Sequence, residues 1–433
     1  MKKISLILLS ILTICSLNGE VNDCCKDISQ VDFAPLYPFI QSKRLISLKD
    51  KMPPLKIKGD VRTDFLSRRE RARDEDFRGG NAKDKQGVAI PQDQISFKMN
   101  LKAEYTCDDA WFVAQVEFDE LGGMQQRLVS CEKSPEGMWG SGFCDYLALK
   151  RAYFGYEFWK KDKEKLIGEI GRRSLYYTFD SRIQFKARVD GIYLKYSNTF
   201  AEYKEERSSN AYITGALFLV NLFDKHYSYA AETGVYNVFD TGFDWKYSFV
   251  DWRLKGKNVC GVEDPLGWRF CNSQITCDYN FRKKFWDKKL ALYGAFLVNH
   301  CASTVSFVLE NNKLTTVQNP QKENLGWYLG FIIGEVKKKG DFSFDCNYQH
   351  VEAQAVPECD IRGIGRGNLR KESFTANRRG NSNFKGFHFE LLYAITDKMS
   401  LDITLDTSRA IDNKIGFGIH HYSKFEVEFI HSF

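Results

Sequence analysis

Five cationic residues cluster in one short stretch of the chain, and their types point to electrostatic selection of solutes. They are Arg172, Arg173, Arg182, Lys186 and Arg188, with Asp180 among them. Charged side chains at the narrowest point of a water-filled passage select solutes by charge. If the stretch 174–188 folds into such a passage, these cations predict a constriction that favours anions. The alternative is a solvated surface loop, since most charge runs are wet surface.

Cysteines are the second group of candidate functional residues, because they can form disulfides. The chain has 12, and 11 remain once Cys15 leaves with the N-terminal leader described below. An odd number in an exported protein implies at least one free or intermolecular thiol. Two pairs each lie within one polar stretch, Cys131 with Cys144 and Cys260 with Cys271. A disulfide in either pair would close a loop and stabilise by about 3 kcal/mol, less any strain.

Signatures of enzymes and metal sites are absent from the sequence. The Gly363–Gly367 stretch follows no buried strand and opens no helix, so it does not predict a phosphate site. His420 and His421 are adjacent in a polar stretch, and no C-x-x-C pair suggests zinc. We therefore expect no catalytic residues, no cofactor and no metal. The net charge of +6, or +4 without Lys2 and Lys3, is too small to predict nucleic-acid binding.

Alternation with period two dominates the chain after residue 54. In one example, Phe387, Phe389 and Leu391 share a face, while His388 and Glu390 lie on the other. The pattern predicts strands with one apolar and one polar face. The segments are about ten residues long, which suits a tilted membrane strand. No apolar run is long enough for a membrane helix, so a helical membrane protein is excluded.

Counting back from the C-terminus gives sixteen strands, although eighteen are conceivable because the region 198–225 fits poorly. The expected strands lie near 55–66, 95–106, 110–120, 147–159, 165–173, 189–197, 211–221, 226–237, 243–252, 273–284, 289–299, 325–336, 341–351, 384–395, 399–408 and 423–433. Short turns then fall on one side and long polar loops on the other, as in an all-β, antiparallel up-and-down transmembrane barrel. Lys98 and Lys102 are predicted to line its lumen. Cys24, Cys25 and Cys107 fall on the side of the short turns, where intermolecular links are plausible because neighbouring cysteines bond to each other only with strain.

Both ends of the chain predict export. Lys2 and Lys3 precede an apolar run from Ile4 to Leu17, which predicts a signal peptide over 1–19. We expect a periplasmic segment over 20–54 and a barrel over 55–433. The last strand places Phe425, Phe429 and Phe433 on one face. A terminal Phe on such a strand resembles the insertion signal read by the barrel-assembly machinery of Gram-negative outer membranes.

Several hairpins resemble those of bacterial porins. The resemblance lies in Gly326-Trp327-Tyr328-Leu329-Gly330 with the turn at 337–342, in the stretch 385–397, in the strand 57–62 and in the segment 190–196. The resemblance implies a single-chain outer-membrane barrel that passes small solutes by diffusion. It also makes a homotrimer plausible. The cysteines depart from such porins and suggest disulfide links to other envelope proteins.

Three functions therefore remain open on the sequence alone. The first is a porin in the bacterial outer membrane for small hydrophilic solutes, either general or weakly anion-preferring. The second is a surface barrel acting as an adhesin or antigen, or as a disulfide-linked structural envelope protein. The third is an outer-membrane hydrolase. Besides the solutes, the expected partners are outer-membrane lipids and the barrel-assembly machinery.

Overall fold

The structure is a computed structural model that describes most of the chain after residue 54. The described ranges are 55–72, 75–81, 92–121, 146–175, 179–203, 208–221, 226–253, 269–310, 313–318, 322–357, 360–364, 382–413 and 420–433. The predicted signal peptide and periplasmic segment lie outside them. None of the helices in these ranges has the length and apolar character needed to cross a membrane.

Antiparallel strands make up nearly all of the described chain. In order, they are β1 Lys56–Ala72, β2 Glu75–Arg78, β3 Asp93–Cys107, β4 Ala110–Leu121, β5 Tyr146–Lys161, β6 Glu164–Ser174, β7 Arg188–Glu202, β8 Ser208–Asn221, β9 His226–Tyr236, β10 Phe243–Arg253, β11 Phe270–Asn280, β12 Leu290–Asn299, β13 Val305–Glu310, β14 Lys313–Gln318, β15 Leu325–Gly334, β16 Phe342–Val351, β17 Phe384–Ala394, β18 Met399–Ala410 and β19 His420–Ser432. A short 3-10 turn, Val238–Asp240, lies between β9 and β10.

Sixteen of these strands close into a barrel. Each pairs with its neighbour in chain order, and β1 pairs with both β3 and β19. The strand β2 is a short addition to β1, and β13 pairs only with β14 as a separate hairpin. All sixteen expected strands correspond to barrel strands, so the predicted sixteen-strand barrel is confirmed.

Alternation along each strand separates an apolar outer face from a polar inner face. In the β17–β18 hairpin, Phe387, Leu391 and Leu405 are exposed on the outside. Asp406, on the other face, is buried within the barrel. Large apolar side chains exposed around a whole barrel would be unfavourable in water, whereas lipid satisfies them.

The described residues of the region 198–225 add no strand to the count, although β7 and β8 carry register shifts at Thr199/Ala201 and Leu219/Asn221. Strand β7 continues to Glu202 and β8 begins at Ser208, so the connection between them is short and lies on the side of the short turns. Strand β9 begins at His226, which leaves only residues 222–225 between β8 and β9. The sequence predicts a longer connection, 198–210, because β7 and β8 continue past the residues whose alternation is clearest. The count of sixteen therefore holds over the described ranges.

Phe433, the last residue, takes part in the seam where β1 pairs with β19 and closes the barrel. The backbone N–H of Phe433 donates to the carbonyl of Gly59 at 3.0 Å, and the N–H of Gly59 donates back at 3.1 Å. The Phe433 ring lies over Gly59, where an added Cβ would stand 2.4 Å from the ring and 2.8 Å from the carbonyl oxygen of Asn100. The C-terminal aromatic face, with Phe425 and Phe429, is exposed on the outside of the barrel.

Part of the barrel interior is filled by packed apolar residues rather than by open space. Two clusters join strand residues to residues of the β6–β7 and β16–β17 connections. The first contains Leu175, Phe179, Phe185, Val189, Phe218, Ala230, Val250, Trp252, Phe270 and Ala353. The second contains Ile183, Tyr293, Leu297, Tyr328, Val351, Ala355, Val356, Ile361, Ile364 and Phe384. The interior between β7 and β17 is therefore narrowed by two connections that fold inwards.

Candidate functional site: a charged cavity in the barrel

The β6–β7 connection folds into the barrel and lies against the opposite wall. Its base is closed by the Leu175 N–H, which donates to the carbonyl of Ala187 at 3.0 Å. The rings of Phe179 and Phe185 pack with centroids 5.1 Å apart in the first apolar cluster. Burial of two aromatic rings stabilises this inward position, since each removes a large apolar area from water.

Polar contacts fix the same connection against β11. The Ser181 hydroxyl donates to Oε1 of Gln274 at 2.8 Å, and the Gln184 amide donates to the same oxygen at 3.1 Å. Lys246 of β10 pairs with Asp180 at 2.5 Å. Strands β8, β9 and β10 separate β7 from β11 along the barrel wall. The connection therefore crosses the interior.

The β16–β17 connection holds the β6–β7 connection in place. Asp360 is fully buried, and its carboxylate accepts the backbone N–H groups of Phe185 and Ala187, each at 3.0 Å. Arg362 donates through its backbone N–H to the carbonyl of Ile183 at 2.9 Å, and through Nη1 to the carbonyl of Ser181 at 2.7 Å. Burial raises the pKa of Asp360 to about 7, against the lowering effect of the backbone hydrogen bonds. The described part of the stretch 352–383 therefore lies inside the barrel, although the sequence places this stretch among the long polar loops.

Arg182 extends from this inserted segment to the wall. Its Nη2 donates to Oδ2 of Asp345 on β16 at 2.6 Å, and its guanidinium lies 4.9 Å from the centroid of the Tyr293 ring. An ion pair that also stacks on an aromatic ring is held in one orientation. Because the Arg182 side chain keeps 25% of its surface exposed, its charge acts on the remaining open space.

A cavity of about 490 Å³ lies beside Arg182. Its lining comes from β1, β3 and β15 to β19, together with Arg182 and Arg362 of the two inserted connections. Its cations are Arg62, Lys98, Arg182, Arg362 and Lys424, and its carboxylates belong to Asp345, Glu390, Asp402, Glu426 and Glu428. His388 lines it as well. Five lysines and arginines thus face five carboxylates, so the lining has no large excess of either sign.

Ion pairs organise the cavity wall. Lys98 Nζ lies 3.0 Å from Oδ2 of Asp64 and 3.3 Å from Oε1 of Glu428. Lys424 Nζ lies 2.6 Å from Oε2 of Glu426. Asp64, Glu426 and Glu428 are close enough together to share a cation. Because two lysine ammonium groups already pair with these carboxylates, the donor set does not favour a metal ion.

The predicted constriction residues take several different positions. Arg182 lines the cavity. Arg173 faces inwards but is held on the wall by Glu169 and lies 4.4 Å from the centroid of the Tyr193 ring. Lys186 is half-buried, and its backbone N–H donates to the Asp360 carbonyl at 3.1 Å.

Arg172 and Arg188 complete the predicted group. Arg172 shares the outer face with exposed Ile170 and makes two bonds to Asp190, at 2.8 and 2.9 Å. Its place in a constriction is therefore corrected, because strand alternation sends neighbouring residues to opposite faces. Arg188 Nη2 lies 3.9 Å from Oε1 of Glu117, and neither residue lines the cavity.

The two lysines predicted to line the lumen lie on the inner face. Lys98 lines the cavity. Lys102 is bonded to Glu104, two residues along the same strand. Their roles in solute passage stay predictions.

The expected disulfide pairs stay predictions. Cys131, Cys144, Cys260, Cys24 and Cys25 lie outside the described residues. Cys107 lies at the end of β3, with its thiol 3.9 Å from Oδ2 of Asp108.

Cys271 has a neighbour that sequence spacing did not indicate. Its thiol lies close to the Cys301 thiol. The sequence placed these two cysteines on different connections, so spacing alone offered no signal for the contact.

Arg362 and the acidic residues of β18 and β19 are among the cavity residues that sequence reasoning did not select. The inward positions of Asp402, Glu426 and Glu428 were available from alternation. Arg362 had no such signal, because it lies in an irregular connection whose inward course depends on contacts with Ile183 and Ser181.

Comparisons with known proteins give similarities of fold only. Neither any family model nor any curated protein matches the chain. Among solved structures, the chain is similar to OprB of Pseudomonas putida at high pH, with 11% identity, a TM-score of 0.48 and coverage of 91% of this chain and 97% of that one. It is also similar to Salmonella typhi OmpF in complex with daunomycin, with 12% identity, a TM-score of 0.46 and coverage of 88% and 97%.

A third similar structure is the outer membrane channel DcaP of Acinetobacter baumannii, with 10% identity, a TM-score of 0.43 and coverage of 88% and 97%. At such identities and TM-scores, these similarities do not bear on the function of this chain. The barrel itself follows from the strand pairing described above.

Proposed function

We propose that this protein is a porin-type channel of the bacterial outer membrane that passes small hydrophilic solutes by diffusion. The observation in its favour is a closed barrel with an apolar outer face and a charged interior narrowed by two inserted connections. An apolar exterior suits lipid, and a charged interior suits water and dissolved ions. The resemblance of the hairpins to those of porins agrees with this function.

The charges of the cavity favour a weak ion preference. The cations of the stretch 172–188 alone suggested an anion preference. However, Asp345 pairs with Arg182, and the cavity lining carries as many carboxylates as lysines and arginines. Opposite charges a few ångströms apart largely cancel at a distance, so neither ion is strongly excluded.

Planar-bilayer recording of the refolded full chain tests the channel directly. We expect stable current steps that rise linearly with voltage, and a small reversal potential in a salt gradient. Refolding is checked first by β-sheet circular dichroism and by altered migration of unheated samples on gels. A correctly folded barrel that inserts into vesicles but never conducts would contradict the proposal.

Partners follow as further proposals. Outer-membrane lipids would cover the apolar face, and the barrel-assembly machinery would insert the chain by its last strand with Phe425, Phe429 and Phe433. A homotrimer is tested by native mass spectrometry in detergent, where a purely monomeric mass would argue against it. Intermolecular links through Cys24, Cys25 or Cys107 predict higher-mass bands on non-reducing gels that collapse on reduction.

A further inference from the structure

Cys271 and Cys301 lie at the end of the barrel opposite to the C-terminal Phe433, which we call the mouth of the barrel. Cys271 is the second residue of β11, and Cys301 follows the end of β12 by two residues. The backbone N–H groups of both cysteines donate to the same atom, Oδ1 of Asn299, each at 3.0 Å. Because two nitrogens at 3.0 Å from one atom cannot be more than 6.0 Å apart, the two cysteine backbones are neighbours.

The thiols themselves also lie close enough to interact electrostatically, and both are free in the structure. Cys301 is exposed, and Cys271 is partly exposed. Disulfides join cysteines whose Cα atoms are usually about 4.4 to 6.8 Å apart, a range that suits backbones held this close.

Asn299 keeps the two cysteines in place. It is fully buried, and its Nδ2 donates to the carbonyls of Arg269 at 2.9 Å and Gln354 at 2.7 Å. The N–H of His300 adds a bond to the carbonyl of Cys271 at 2.9 Å. Since these contacts already order both backbones, little further conformational entropy is lost when the thiols are joined.

The other described cysteines lack such an arrangement. Cys277 and Cys346 lie within strands, at outward positions beside Asp278 and Asp345 of the inner face. Cys107 lies at the opposite rim and contacts Asp108. Among the described cysteines, only the pair at the mouth of the barrel brings two thiols together.

We propose that Cys271 and Cys301 form an intramolecular disulfide in the oxidising envelope. The exposed Cys301 thiolate attacks a sulfur of an oxidised protein disulfide, which releases one thiol of that oxidant. The Cys271 thiolate then attacks the Cys301 sulfur, so the Cys271–Cys301 bond forms and the second oxidant thiol leaves. Two cysteine thiols are oxidised and one oxidant disulfide is reduced to two thiols, with protons passing from the cysteines to the oxidant.

The bond would secure the mouth of the barrel next to the inserted connections. Residues beyond Cys301 contact the β16–β17 connection, since the Ser303 N–H donates to Oε1 of Gln354 at 2.9 Å and the Gln354 amide donates back to the Ser303 carbonyl at 2.7 Å. A covalent link at Cys301 therefore restrains the segment on which Gln354 is held.

Peptide mapping of the full chain tests this pairing. Envelopes are denatured without reductant in excess iodoacetamide, which blocks free thiols, and the chain is digested with trypsin. We expect a cross-linked species of the peptides that start at Phe270 and at Leu290, two hydrogen masses lighter than the sum of the Leu290 peptide and the Phe270 peptide alkylated once at Cys277. Cleavage after Arg269 separates this species from one in which Cys271 is joined to Cys260.

Matched variants assign the link, because Cys277 shares the Phe270 peptide. Cys277→Ser should keep the cross-linked species, whereas Cys271→Ser and Cys301→Ser should each lose it. Recovery of wild-type Cys271 as the alkylated thiol, or joined to Cys260, would overturn the proposal. Because the readout is a mass, it is independent of whether the barrel conducts.

Discussion

Replacing Arg182 by Gln should shift the channel towards cations. The variant removes one positive charge from a cavity whose lysines and arginines equal its carboxylates in number. It also leaves Asp345, which Arg182 contacts at 2.6 Å, with an uncompensated charge facing the open space. Gln keeps much of the side-chain length, so the main perturbation is electrostatic.

The size of the shift follows from Coulomb's law. A unit charge about 4 Å from a permeating monovalent ion changes the energy of that ion by about 1 kcal/mol in a medium like water. Since about 1.4 kcal/mol is a factor of ten, each ion's local concentration changes by about fivefold. Cations gain and anions lose, so the permeability ratio changes by up to about 25-fold at low salt.

Reversal potentials in a KCl gradient measure this ratio. Asp345→Asn should shift the ratio in the opposite direction, and the Arg182→Gln/Asp345→Asn double variant should return close to the wild type. Arg172→Gln makes the same change of charge on the outer face, where Arg172 pairs with Asp190, so it should leave the ratio unchanged. The shift should shrink in about 1 M salt, where the Debye length falls to about 3 Å.

Two results would refute this reasoning. If Arg182→Gln left both the reversal potential and the conductance at their wild-type values, the cavity would not lie on the ion path. If Arg172→Gln shifted it as strongly as Arg182→Gln, position inside the barrel would not matter. A rise in conductance without a change in selectivity would indicate instead that the inserted connection had moved.

Three other predictions concern the packing of the inserted connections and the seam. Phe185→Ala removes a fully buried ring, so the packing of the β6–β7 connection inside the barrel should be destabilised by about 3 to 5 kcal/mol. Single-channel conductance and its noise should then rise, and unchanged current traces would contradict this. Burial raises the pKa of Asp360 to about 7. The carboxyl therefore binds its proton more tightly when the β16–β17 connection is docked inside the barrel than when this connection is released. The free energy that holds the connection in place should consequently fall as pH rises from about 4 to about 7. Amide hydrogen exchange at pH 5 and pH 8, corrected for intrinsic rates, measures this fall, and Asp360→Asn should abolish the difference; a variant with the wild-type pH dependence would exclude this carboxyl as its source. Gly59→Ala should destabilise the contact between β1 and β19 by about 1 to 3 kcal/mol, because the new methyl group meets the Phe433 ring. Gly215→Ala is the control, since its methyl group enters open space and the variant should migrate normally on unheated gels. Equal migration of the two variants would contradict the packing of Phe433 on Gly59.

Strand alternation along the sequence determined the barrel and its strand count. Each strand has its own period-two pattern, and lipid outside with water inside imposes that pattern locally. The inward face of Asp402, Glu426 and Glu428 was therefore available from the sequence. The same rule also separates Arg172 from Arg173, because a shift of one residue sends a side chain to the other face.

Only the tertiary structure decided which of these groups meet. Arg182 reaches Asp345 across 163 positions of sequence, and Asp360 holds Phe185 across 175. Neither connection has a periodic pattern, because its course depends on apolar contacts with several strands at once. Closure of the barrel brings those strands together, so the charged cavity and its inserted walls exist only once the whole fold has formed.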